Sequence, residues 1–184
     1  MASVFDTIKR NAGNLDRSNS WYRSQVNRIA SGTTAQQLFR QGKLARRPSV
    51  GRLNLFGYNP KLRKTLPYYD VFPLVLPLEA FAGGFIGMNF HYLPPLLRMR
   101  LLERMQATAT DRDFDKDTKF DVTYNDVKRL SIVKPTIKKY LYSYVQTGFL
   151  RINADEAATA IFLPVQRFKK ASEAKVYADS RRFI

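Results

Sequence analysis

The chain has 184 residues, with 31 Lys and Arg against 15 Asp and Glu, a formal charge of +16, a single histidine and no cysteine. The absence of cysteine excludes disulfides, thiol catalysis and thiolate metal sites, and the length allows one sizeable core. So large a positive excess repels itself in the compact state and points to an anionic partner: nucleic acid, an anionic membrane face or an acidic protein surface.

Residues 1–64 carry thirteen basic side chains against Asp6 and Asp16, so +11 of the charge lies in the first third. The opening segment MASVFDTIKRNAGNLDRSNSW has no uninterrupted apolar run after its basic residues and does not read as a secretory signal. Short helices are expected over 20–29 and 34–41. The hydrophobes there (Trp21, Tyr22, Val26, Ile29, Leu38 and Phe39) are separated by Ser, Asn, Gln and Gly and are too sparse to build a core of their own. Residues 1–50 are therefore expected to form a basic, extended arm with short helices, ahead of a domain over 51–184.

The centre of the chain reads as β-structure. Arg52–Tyr58 is a predicted strand, Asn59-Pro60 a turn, and Leu74–Leu78 and Phe85–Leu93 two strands joined through Gly83-Gly84 as a hairpin. The apolar stretch from Val71 to Leu97 is divided by Glu79 and broken by Pro73, Pro77, Pro94 and Pro95, so it reads as buried strands and not as a membrane span. Pro94-Pro95 opens a helix with Leu97, Leu101 and Met105 on its packing face and Arg98 and Arg104 elsewhere around it.

A second helix is predicted from Pro135 to Gly148, with Ile137, Leu141, Tyr144 and Val145 on its apolar side. Strands are expected at Phe149–Ile152 and Ala160–Leu163, bridged by a turn or short helix around Asp155–Ala158. Ser172 is placed to cap a last helix ending near Arg182. The expected class is α+β: a small antiparallel sheet or partial barrel flanked by helices, with the basic N-terminal arm ahead of it.

Chemistry-bearing motifs are scarce. Asp111, Asp113, Asp115 and Asp117 alternate like the start of a calcium loop, but Lys116 and Val122 stand where that loop needs glycine and a bidentate glutamate. His91 sits in NFHYLPP with no local nucleophile or orienting acid, the setting of a hydrogen-bonded structural histidine. The GGFIG cluster lacks the spacing of a dinucleotide fingerprint, and no GxxxxGK[ST] occurs. We expect no catalytic, cofactor-binding or metal-binding residues and a non-enzymatic protein. The candidate partner-binding residues are Trp21, Tyr22, Arg23, Arg28, Phe39, Arg40, Lys43, Arg46 and Arg47. Interleaved cations and rings suit phosphates and exposed bases, and equally the anchors of a protein interface.

Four segments carry a resemblance: FGYNPKLRKTLPYYDVFPLVLPLE, GGFIGMNFHYLPPLLRMRLL, KPTIKKYLYSYVQTGFLRI and AIFLPVQRFKKASEAKVYADSRR. In this order they resemble a family of virion proteins of large contractile-tailed bacteriophages, over about Leu55 to Arg182. The resemblance implies a tail, baseplate or neck component, or a DNA end protector. It maps onto Tyr58, Asn59 and Pro60 of the turn, Leu66 to Pro73, and Gly87 to Pro95. Asn59 stands where the family commonly shows aspartate, and both side chains suit a turn. The expectation is a structural protein of the virion, in the host cytoplasm during assembly. It is expected to be present in several copies of a symmetric assembly, to dock on other virion proteins through the arm and to have no membrane partner. The alternative is a protein bound to the packaged DNA or its ends.

Overall fold

The computed structural model describes residues 2–13, 15 and 17–184. Its helices are α1 (Val4–Ala12), α2 (Asn19–Gln25), α3 (Ala35–Gln41), α4 (Pro95–Gln106), α5 (Tyr124–Val127), α6 (Ala154–Ala160) and α7 (Glu173–Arg181). Its strands are β1 (Leu44–Ala45), β2 (Leu53–Leu55), β3 (Tyr69–Asp70), β4 (Leu74–Phe81), β5 (Gly84–Asn89), β6 (Ile137–Leu141), β7 (Phe149–Ile152) and β8 (Phe168–Lys169). Six of the strands form one antiparallel sheet in the order β1-β7-β2-β4-β5-β6, and β3 pairs with β8 in a separate ribbon. The fold is α+β, and the main sheet is open, not a closed barrel.

The period of two in the strands explains the layering. Leu74, Leu76, Met88, Leu150 and Ile152 point into the larger core with the helices, while Val75, Phe85 and Phe149 point into a second cluster with Phe56, Tyr58 and Tyr140. Strands buried on both faces read as near-continuous apolar runs, and LVLPL in β4 is one. In the second cluster Phe56 meets Phe149, Tyr140, Phe85 and Tyr58 at centroid distances of 4.8, 5.3, 6.0 and 6.1 Å. Such pairs add about 0.5–1.5 kcal/mol each beyond area burial.

Pro77 is tolerated in β4 because β2 pairs only as far as Val75, so its missing N–H faces no ladder on that side. A bulge between Pro77 and Glu79 then shifts the register against β5. Gly83 closes the hairpin at φ +85°, where a side chain would be strained.

The N-terminal third differs from the extended arm expected over 1–50. Ser3 and Asp6 form a capping box on α1, and Thr34 and Gln37 form another on α3. Phe5, Ile8, Val26, Ala30, Ala35 and Leu38 are buried in the same core as the sheet, and β1 adds to β7 at the sheet edge. Lys9 bridges to Asp155 at 2.8 Å and Glu156 at 3.3 Å on α6. Apolar residues too few for a core of their own suffice when another element supplies the opposite face.

Two further expectations are corrected. Residues 135–148 are β6 followed by a 3₁₀ turn at Tyr142–Tyr144, not a helix, and Ile161–Leu163 form the turn that ends α6, not a strand. No helix among the described residues is long and apolar enough to cross a membrane.

Candidate nucleic-acid interface

The candidate partner-binding residues do not converge. Trp21 and Phe39 are partly buried against the core. The Arg17 guanidinium lies 5.2 Å from the Trp21 ring centroid, Tyr22 meets Trp21 edge-on at 5.1 Å, and Phe39 leans on Phe72 at 6.0 Å. Arg28 donates to Gln25 Oε1 at 2.7 Å, and Arg47 stacks on Tyr142 at 4.1 Å. Arg23 and Arg28 line one depression with Leu96 and Met99, Lys43 a second beside α1 and β7, and Arg46 a third beside Tyr142. Arg40 is exposed on α3. The aromatics of this set pack against the core on one side.

Cations and rings converge instead in a cleft of about 700 Å³ between the 60–70 segment, β6 and the end of α7. Tyr68 and Tyr69, partly exposed, line it with Lys61, Lys134, Lys138 and Lys139, while the buried Tyr58, Tyr92 and Tyr140 form its floor. Among the described residues none of these four lysines forms an ion pair. Lys138 lies 4.1 Å above the Tyr92 ring and donates to the Pro135 carbonyl at 2.9 Å. Burial pushes its ammonium down to about 8, so a positive charge is held at neutral pH in surroundings that disfavour it.

Both walls of the cleft are fixed. The Lys170 ammonium, in a residue at φ +70°, donates to the carbonyls of Arg63, Lys64 and Leu66 at 3.2, 3.0 and 2.5 Å, tying down the loop that carries Lys61. Behind the cleft, Asp70 is saturated: it accepts from the Phe72 and Arg167 amides at 3.0 and 3.2 Å, from Asn89 Nδ2 at 3.2 Å and from His91 Nδ1 at 2.8 Å. It is the single carboxylate of the lining, and its charge is spent inward. Arg98, expected off the packing face of its helix, is instead fully buried. It donates to the carbonyls of Leu93, Ile161 and His91 at 2.7, 3.0 and 3.3 Å and to the Tyr177 hydroxyl at 2.8 Å. His91 is the structural histidine expected, buried and bonded to Asp70.

Burial pushes the His91 imidazole below its ordinary value, outweighing the upward pull of Asp70. With a depressed value in the fold, the unfolded chain takes up the proton first as pH falls. The stability contributed by neutral His91 is therefore complete above about pH 6.5 and is lost below it. The urea midpoint should fall between pH 7.5 and 5.5, with a slope of at most about 1.4 kcal/mol per pH unit from this group. His91→Gln should flatten that step, and an unchanged slope in the variant would assign it elsewhere.

The aspartate run is used locally. Asp115 Oδ1 accepts from the amides of Asp117 and Thr118 at 2.8 and 2.9 Å, and Asp111 Oδ1 accepts from the Asp113 amide at 3.1 Å. Among the described residues no His, Cys, Asp and Glu cluster is arranged to hold a metal ion.

The family model described as the phage T4 terminal DNA protecting protein matches residues 5–183. The chain belongs to that family. No curated protein and no solved structure matched it. The match to the terminal DNA protecting family takes in both walls of the cleft and all nine candidate residues of the N-terminal third, so it spans the chain and is not confined to one motif. The cleft residues escaped the sequence reading because Lys138, Lys139 and Tyr140 fell inside the supposed helix from Pro135. The Tyr140, Tyr142, Tyr144 spacing was no guide to them, because Tyr142 and Tyr144 lie in the 3₁₀ turn after β6 and do not line the cleft.

Proposed function

We propose that this protein binds the ends of phage DNA and shields them, as a non-enzymatic component of the virion, with the tyrosine and lysine cleft as the receiving site. The observation that carries the proposal is the convergence of lysines, free of ion pairs among the described residues, with tyrosine rings in one cleft of a protein with a charge of +16. Lysines neutralise phosphates and release counterions, while rings supply stacking surface to bases. Membership of the terminal DNA protecting family supports this reading over docking at a tail, baseplate or neck interface. DNA is then the principal partner. The arginines of the N-terminal third add long-range attraction to the phosphate backbone, and contacts with other virion proteins are secondary. At equal nucleotide concentration, linear duplex should compete for the protein far better than the same sequence closed into a circle. Equal competition would overturn the end-binding reading and leave general DNA affinity.

A further inference from the structure

The cleft is small for a duplex. Its volume of about 700 Å³ falls within the range of about 300–1,000 Å³ typical of sites for single small ligands. Its rings are held in place before any ligand arrives. Tyr68 lies against Tyr92 at 6.1 Å with 35° between the planes, meets Phe168 edge-on at 6.5 Å, and hydrogen-bonds Asp179. Tyr68 and Tyr69 remain only partly buried, and Phe183 is 55 % exposed at the same site.

The cations point to phosphate over carboxylate. The lining contains lysines and no arginine, whereas planar carboxylates are recognised bidentately by arginine and lysine acts on phosphate as a point charge. An ammonium carries three donors, and among the described residues Lys138 uses one, on Pro135.

From this geometry we infer that the cleft takes one or two unpaired nucleotides at a DNA end, a base against Tyr68 and a phosphate at Lys138. The inference rests on the end-binding reading and specifies which form of end is favoured. A frayed or overhanging strand enters the cleft, and the flanking duplex stays outside, where Lys61 and the loop tied by Lys170 meet its backbone.

The test uses fluorescent DNA hairpins that differ only at the open end: blunt, or carrying a two-nucleotide 5′ or 3′ overhang. Anisotropy is measured with the full-length protein and with Tyr68→Ala, Tyr68→Phe and Lys138→Gln, each checked by thermal melting. An overhang should bind roughly tenfold more tightly than a blunt end, the scale of one base stacked on a ring. Tyr68→Ala should erase that preference, and Tyr68→Phe should keep it. Lys138→Gln should weaken every overhang, and it carries the test alone if the alanine variant does not fold. Equal binding of blunt and overhanging hairpins, with linear DNA still preferred over a closed circle, would overturn this inference and leave the end-binding reading standing. Loss of the preference for linear DNA would overturn the reading beneath it. An overhang preference that survives in Tyr68→Ala would place the strand elsewhere. Displacement of the overhang by polyglutamate at equal charge concentration would assign the cleft to an acidic protein segment.

Discussion

Replacing Lys61, Lys134, Lys138 and Lys139 together with glutamine should lower the affinity for linear DNA about a hundredfold or more near physiological salt. It should also reduce the salt slope by up to about 3.6, because each neutralised phosphate contributes about 0.9 to that slope. The four residues line one cleft and none forms an ion pair among the described residues; Lys138 and Lys139 lie over the Tyr92 and Phe81 rings at 4.1 and 4.3 Å, so at those two positions phosphate competes with a ring contact and not with a carboxylate. The control removes the same formal charge from Arg40, Lys43, Arg46 and Arg47. None of these four lines the cleft, and Lys43 and Arg46 line separate depressions. That variant should change the slope by about one unit or less.

The cleft variant should fold at least as stably as the parent. Lys138 titrates near 8 in the fold against an ordinary 10.5, so below pH 8 it is charged in both states and its burial opposes folding. A neutral glutamine removes that opposition. Salt titrations of both variants, with urea midpoints beside them, separate binding from stability. A larger loss in the N-terminal control would move the DNA path to that face.

Arg98→Ala should destabilise the protein by about 3 kcal/mol or more without changing any group that lines the cleft. The side chain is fully buried, and its donors satisfy the carbonyls of Leu93, Ile161 and His91. Truncation leaves buried acceptors unpaired, at about 1–3 kcal/mol each, and opens a cavity that the surrounding side chains only partly refill. Arg98→Met keeps most of the volume but not the donors, so comparing the two urea midpoints apportions the loss. Methionine matching arginine would show that volume, not hydrogen bonding, holds α4 to the turn after α6.

Arg98 also shows where sequence reasoning fails. A charged residue beside an apolar stripe reads as solvent-facing, and nothing local reveals that carbonyls from Ile161 and a hydroxyl from Tyr177 will surround it. Elements whose rules are local were legible: the Gly83 hairpin, the start of α4 at Pro95, the short helix over 34–41, β7 over Phe149–Ile152 and the Ser172 cap of α7. The segment from Pro135 was not, since Ile137, Leu141, Tyr144 and Val145 fit a helical stripe as well as a strand. What decides it is β5, more than forty residues earlier, which pairs Met88 with Ile137 and Gly84 with Leu141. Tertiary pairing overrode the helical period. The cleft was hidden for the same reason: Lys61 and Lys138 meet only once β6 has joined the sheet. Of the N-terminal helices, those over 20–29 and 34–41 were expected and α1 was not, and the burial of all of them depends on the rest of the sheet and on α6, which residues 1–50 do not contain.

The most direct measurement holds DNA mass constant and varies the number of ends. A circular plasmid is left closed, or cut once, twice or four times, and the protein bound at saturation is counted in moderate salt, where non-specific contacts are weak. The end-binding account predicts bound protein rising in proportion to ends, from near zero on the closed circle. Binding that follows DNA mass and is indifferent to cutting would contradict it.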